Sequence, residues 1–166
     1  MTASRIRVAR VVLLLSLTLA SAARGQVAEE LTMKPEIRLD VARLGNRVAF
    51  QAGGGVQVPL GYYTRMSIIG AAGADVERFV QDASGRLDVV GRFLFDPFRQ
   101  SRWGLSAGAG VSLRVRARDR VRPYLVSVID LEGPLSARGV SPAIQLGIGG
   151  GVRVGVALRK GARSSR

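Results

Sequence analysis

Alternation of apolar and polar side chains is the main regularity of this chain, and it is cleanest between residues 103 and 116. Trp103, Leu105, Ala107, Ala109, Val111, Leu113 and Val115 occupy odd positions, whereas Gly104, Ser106, Gly108, Gly110, Ser112, Arg114 and Arg116 occupy even ones. A period of two belongs to a pleated strand, whose successive side chains point to opposite faces. No helix separates the two sets. At about 3.3 Å per residue the segment spans on the order of 45 Å, enough to cross a bilayer even when tilted by about 45°. One face is apolar and the other is glycine, serine and arginine. This is the division expected of a wall with hydrocarbon outside and a narrow, polar, filled interior.

The same period recurs along the chain. From Glu36, residues Ile37, Leu39 and Val41 oppose Arg38, Asp40 and Ala42 up to Gly45-Asn46, which can supply the positive φ of a tight reversal. A second strand runs from Arg47 to Val58 through Gly53-Gly54-Gly55. That triplet reads as a bend in the strand, because Val48, Phe50, Ala52, Val56 and Val58 hold the pattern and no Lys-Ser follows to make a phosphate loop. Further strands are expected over Tyr62 to Asp75, Arg86 to Asp96, the central segment, Tyr124 to Glu132, Pro142 to Gly149 and Val152 to Arg159. Val76 to Gly85 reads as the best candidate for an exposed loop, Ala117 to Pro123 as a charged turn and Gly133 to Ser141 as a loop. Gly149-Gly150-Gly151 either turns the chain or bends one continuous strand. The turn gives eight strands, the smallest number for a closed antiparallel transmembrane barrel. The loops show no clear short and long alternation.

The two ends differ from the middle. Arg5, Arg7 and Arg10 precede an apolar run from Val11 to Ala23, too short for the roughly 20 residues of a membrane helix. Residues 1–25 are expected to be a signal peptide, cleaved after Ala23 or, preferably, after Gly25. Residues 26–35 then form a lead-in, 36–160 the barrel domain and 161–166 a basic tail. Loss of Arg5, Arg7, Arg10 and Arg24 would leave 21 basic against 12 acidic residues, a net +9 in place of +13.

A sequence isoelectric point near 11.7 raises nucleic acid as a partner. The basic residues are nearly all arginine, with Lys34 and Lys160 the sole lysines, and they are scattered with aromatics at only 5%. Nucleic-acid binders gather them into stripes with interleaved aromatics, so no nucleic-acid partner is expected. There is no histidine and no cysteine. Zinc sites, thiol nucleophiles and histidine-based triads are therefore excluded. With the lysines near the ends and no carboxylate pair standing out, no enzyme activity, metal or cofactor is expected.

Arg38, Arg86, Arg92, Arg114, Arg116 and Arg153 share the polar parity of their strands with Asp40, Asp88, Asp130 and Glu132. An eight-stranded barrel is just wide enough for side chains, so these groups predict an arginine–carboxylate network that plugs the lumen. Tyr62, Tyr63, Phe98, Trp103 and Tyr124 fall at or near strand ends, where an interfacial girdle of aromatics would lie. A leader followed by eight alternating strands over Glu36 to Lys160 resembles the small eight-stranded bacterial outer-membrane β-barrels, the family of outer membrane protein A's membrane domain. The chain departs from that family in ending Leu158-Arg159-Lys160 instead of on an aromatic residue, in its few aromatics and in its basic charge. The resemblance implies an all-β, antiparallel up-and-down barrel in the outer membrane. It would be monomeric and non-enzymatic, in contact with outer-membrane lipid and lipopolysaccharide, with an envelope-integrity or adhesion-type role. The alternative is a soluble periplasmic β-barrel or β-sandwich whose apolar parity faces inward and which binds an anionic envelope component or a small lipid.

Overall fold

A computed structural model describes residues 33–77, 80–98, 100–117 and 119–160. The expected leader, most of the lead-in and the basic tail lie outside these residues. Eight strands follow in order: β1 (Lys34–Leu44), β2 (Arg47–Pro59), β3 (Thr64–Glu77), β4 (Val80–Leu94), β5 (Gly104–Arg116), β6 (Asp119–Glu132), β7 (Val140–Ile148) and β8 (Val152–Lys160). Each pairs antiparallel with the next and β8 pairs with β1, which closes an up-and-down barrel.

The turns follow from local chemistry. Gly45, at φ 62°, reverses the chain between β1 and β2, as the Gly45-Asn46 pair leads one to expect. The second glycine triplet is a turn: Ile148 pairs with Val152, and Gly150 adopts φ 67° at the apex. The first triplet stays within β2, with Gly53 and Gly55 set against the backbone of β3 so closely that a Cβ on either would strike it. There, glycine permits close approach of two strands.

Several expected boundaries move. The described residues of the expected loop, Val76, Glu77 and Val80 to Gly85, are strand: Val76 pairs with Gln81, Glu77 with Val80 and Ala72 with Gly85. Ala117 to Pro123 is likewise mostly strand, with Pro123 opposite Leu113 and a register irregularity between Arg114 and Arg116. β7 pairs with β6 only from Ser127 onward, so Pro123 stands where just one ladder is formed and a missing N–H does least harm. Both segments mix charged side chains with small residues, glycine or proline, and that composition alone reads as loop. Lys34 and Pro35, assigned to the lead-in, open β1, and Tyr62 and Tyr63 lie in the bend before β3.

The two rims are unlike. Both ends of the β-domain meet one rim, together with the connections at residues 60–63, 95–103 and 133–139, while the other rim holds the turns at 45–46 and 149–151 and the ends where β3 passes to β4 and β5 to β6 within two residues each. The short and long alternation that the sequence conceals is therefore present, with the longer connections beside the termini.

Candidate functional site

The wall has an apolar outer face and a charged inner one. Leu105, Val111 and Leu113 of β5 are 44%, 44% and 38% exposed, while Ser112 and Arg114 between and beyond them are buried. The same holds around the circumference: Ile37, Leu39 and Val41 on β1 and Val152, Val154, Val156 and Leu158 on β8 are all exposed. Arg43 and Lys160 mark the two rims of this two-strand surface. An exposed apolar band continuous over the barrel is the surface expected to face hydrocarbon, since soluble proteins seldom leave such large patches uncovered. The inward-apolar arrangement required by a soluble lipid binder is the reverse of what is found.

Inside, apolar side chains meet in only a small cluster, Val90, Val126 and Val128. Elsewhere on the described inner face Ile69, Leu94 and several alanines are interspersed among charged and amide side chains, which predominate. The ion pairs of the lumen form a ladder along the barrel. Near the termini Arg159 donates to Glu36 and to Asp130, each at 2.8 Å, and Arg92 lies 3.0 Å from Asp130. Arg38 bridges upward, lying 3.3 Å from Glu36 and donating to Asp40 at 2.7 and 2.8 Å, and it also donates to Gln145. Arg86 continues from Asp40 to Asp88, the latter at 3.1 Å, and Arg153 reaches Asp88 across the lumen at 2.8 Å. Near the hairpin turns Asp75 accepts from Arg114 at 2.6 Å and pairs with Arg116 at 2.9 Å.

Transfer of one ion from water into protein costs several kcal/mol, and only well-formed pairs with further hydrogen bonds offset it. Glutamines complete the bonding: Gln57 donates to Glu36 at 2.6 Å, Gln145 to Asp130 at 3.0 Å and Gln51 to Ser84 at 3.1 Å. Among the described residues six arginines (Arg38, Arg86, Arg92, Arg114, Arg153 and Arg159) and five carboxylates (Glu36, Asp40, Asp75, Asp88 and Asp130) are buried. Arg116 and Glu132 are half-buried at opposite mouths, where Glu132 lies 3.6 Å from both Arg65 and Arg159.

All the charged positions that parity singles out thus lie on the inner face: Arg38, Asp40, Arg86, Asp88, Arg92, Arg114, Arg116, Asp130, Glu132 and Arg153. Parity alone did not single out Glu36, Asp75 or Arg159, nor the glutamines at 51, 57 and 145. Glu36 and Arg159 sit at strand ends and Asp75 at what reads as a loop boundary, yet each keeps the inward parity of its strand. The alternation reaches all three charged residues, Glu36, Asp75 and Arg159, but the charge network read from the sequence stops short of them.

The aromatic residues divide. Tyr62, Tyr63, Phe98 and Trp103 are exposed at the rim that carries the termini, with Phe93 and Phe95. Tyr63 stacks on Phe93 with ring centroids 5.8 Å apart, and Phe98 lies 6.2 Å from both tyrosines. Tyr124 is a correction to the expected girdle. It has the inward parity of Val126 and Val128, lies at the opposite rim and is half-buried. Its ring packs on the apex glycine of the last turn, where a Cβ on Gly150 would come within 2.8 Å of it. It therefore covers one end of the lumen.

No protein-family model matches the chain, and no curated protein matches it in sequence. Solved structures do match in fold. Neisserial surface protein A aligns over 78% of this chain and 96% of its own, with 11% identity and a TM-score of 0.59. The N-terminal β-barrel domain of Pseudomonas aeruginosa OprF aligns over 76% of this chain and 96% of its own, with 11% identity and a TM-score of 0.54. A de novo designed transmembrane β-barrel aligns over 76% and 93%, with 14% identity and a TM-score of 0.52. With its closed ring of eight antiparallel strands, the chain has the fold of the small eight-stranded outer-membrane barrels.

Proposed function

We propose that this chain is an integral outer-membrane protein whose lumen is closed by its arginine–carboxylate ladder, so that it acts in the envelope as a structural or adhesion-type element and neither as an open pore nor as an enzyme. One observation carries the reading. The outer face is a continuous exposed apolar band, whereas the inner face holds six buried arginines ion-paired with buried carboxylates. A pore would leave those charges hydrated and mobile. Histidine and cysteine are absent from the sequence, which removes the commonest nucleophile and base pairs. The basic residues at the rims suit phosphate-bearing headgroups such as those of lipopolysaccharide, and the barrel closes without a second copy.

Fractionation tests the location. The protein is expected in an outer-membrane pellet that resists carbonate and urea, and to run differently on gels before and after boiling. Recovery in the soluble periplasmic fraction would refute it. Planar-bilayer recording tests closure: only brief, small openings are expected, and a large steady conductance would exclude a plugged lumen.

A further inference from the structure

The hairpin-turn end of the lumen holds a partly open cavity of about 20 Å³ whose lining includes Arg86, Ser112, Arg114, Tyr124, Gly147 and Arg153. That is room for one water or one monatomic ion. Three guanidiniums meet there, and no carboxylate lines the space. Their acidic partners lie outside the lining. Arg153 donates to Asp88 through Nη1 at 2.8 Å, Arg114 to Asp75 through Nη2 at 2.6 Å, and Arg86 pairs with Asp40 and Asp88.

The Nε atoms of Arg114 and Arg153 are buried without a hydrogen-bond acceptor, on side chains only 9% and 8% exposed. Arg153 Nε is close to the space left by Gly147, since a Cβ there would lie 3.4 Å from it. Asp88 Oδ1 also lacks a donor but is outside the lining. Unmet buried donors are costly, and a guanidinium cannot relieve the cost by losing its proton. Across the described lumen buried arginines also outnumber buried carboxylates by six to five. Water would supply an acceptor without charge; a halide supplies both. A carboxylate or phosphate is too large. We infer that the cavity binds one monovalent anion of halide size, with Arg86, Arg114 and Arg153 as its ligands and the Ser112 hydroxyl as a further donor.

The inference shares the packed lumen with the proposed function but is read by position and linkage instead of conductance, so either can fail while the other stands. Bromide is the probe. The full chain, refolded in detergent and crystallised with bromide as the sole halide, is expected to show an anomalous peak among the three guanidiniums. In lipid vesicles at constant ionic strength, exchange of gluconate for chloride is expected to lower the unfolding constant, approaching tenfold for each tenfold rise in chloride above the dissociation constant. Gly147→Ala adds a methyl with only ordinary contacts, the nearest at 3.4 Å, yet occupies the space beside Arg153 Nε. It should fold and lose both the peak and the chloride response. Ser112→Asp brings its own anion and should lose them too, which keeps the test decisive if the alanine variant does not fold. A site with density but no anomalous signal in bromide, or wild-type unfolding that ignores chloride, would overturn the proposal. Retention of the bromide peak in folded Gly147→Ala would do the same.

Discussion

Asp130→Ala is the sharpest test of the ladder. Asp130 is fully buried on β6, where Oδ1 accepts from Arg159 at 2.8 Å and from Gln145 at 3.0 Å, while Oδ2 lies 3.0 Å from Arg92. Arg159 would retain Glu36 at 2.8 Å. Arg92, 4% exposed, has Asp130 within ion-pair distance and only the more distant attraction of Glu36 besides. Removal of one partner from a buried pair costs about 3–5 kcal/mol because the remaining charge is left uncompensated. At about 1.4 kcal/mol per decade, the unfolding equilibrium should shift by roughly two to three and a half orders of magnitude. Glu132→Gln is the control: at 3.6 Å from Arg65 and Arg159, looser than the pairs of Asp130, and isosteric, it should cost clearly less than Asp130→Ala. Adding Arg92→Met to Asp130→Ala removes the stranded charge and should recover most of the loss. The assay is urea unfolding in lipid vesicles, followed by fluorescence of the single tryptophan, Trp103, and by gel mobility of unboiled samples. An Asp130→Ala protein within about 1 kcal/mol of wild type, or a double variant no better than the single, would refute a paired, dry interior.

Val156→Arg, at the middle of the outer face of β8, should cost about 2–4 kcal/mol in vesicles, whereas an equally exposed site on a soluble sheet would change by no more than about 0.5 kcal/mol. Urea titration decides between the two. Gly110→Ala should abolish or severely reduce folding yield, because its Cβ would strike the Val89 carbonyl, while Gly70→Ala, with nothing within 4 Å, should fold like wild type. Gly45→Ala and Gly150→Ala both force a methyl into left-handed backbone at about 1–2 kcal/mol. Gly150→Ala should be the more damaging in the same titration, since it also meets the Tyr124 ring.

Parity made the barrel legible before any coordinates, and it did so best where the two environments contrast most. On β5 odd residues stand against hydrocarbon and even ones against the lumen, so every residue from Leu105 to Val115 reports its side. Toward the turn end of β3 and β4 the inner face holds Asp75 and Asp82, while the outer face holds Ala74, Val76, Gln81 and Ala83. The outer face there is small residues and Gln81 in place of large apolar ones, so the contrast on which the reading depends weakens and a hairpin looks like a loop. Tyr124 misled for a related reason: position near a strand end placed it in a girdle, but its parity with Val126 and Val128 turns it inward. Ion-pair partners were not legible. Arg153 of β8 and Asp88 of β4 lie 65 residues apart, and their meeting depends on the stagger of strands round the closed sheet.

That stagger is what the interior chemistry is suited to specify. Lipid accepts any apolar side chain, so the outer face cannot distinguish one register from another shifted by two residues, which leaves every side chain on its own side. The inner face can. If β8 slid by two residues against β1, Arg159 would leave Glu36 and Arg153 would leave Asp88, exposing buried charges to the penalty calculated for Asp130. Glycine adds a steric check. Gly155 faces the lumen beside Asp40, where a Cβ would strike the carboxylate, and its register partner on β1 is that same aspartate. A two-residue slip would bring Arg153 or Ala157 to that position and destroy the space Asp40 occupies. The apolar exterior therefore decides that the chain enters a bilayer, while the salt-bridged interior selects which of the parity-preserving barrels it becomes.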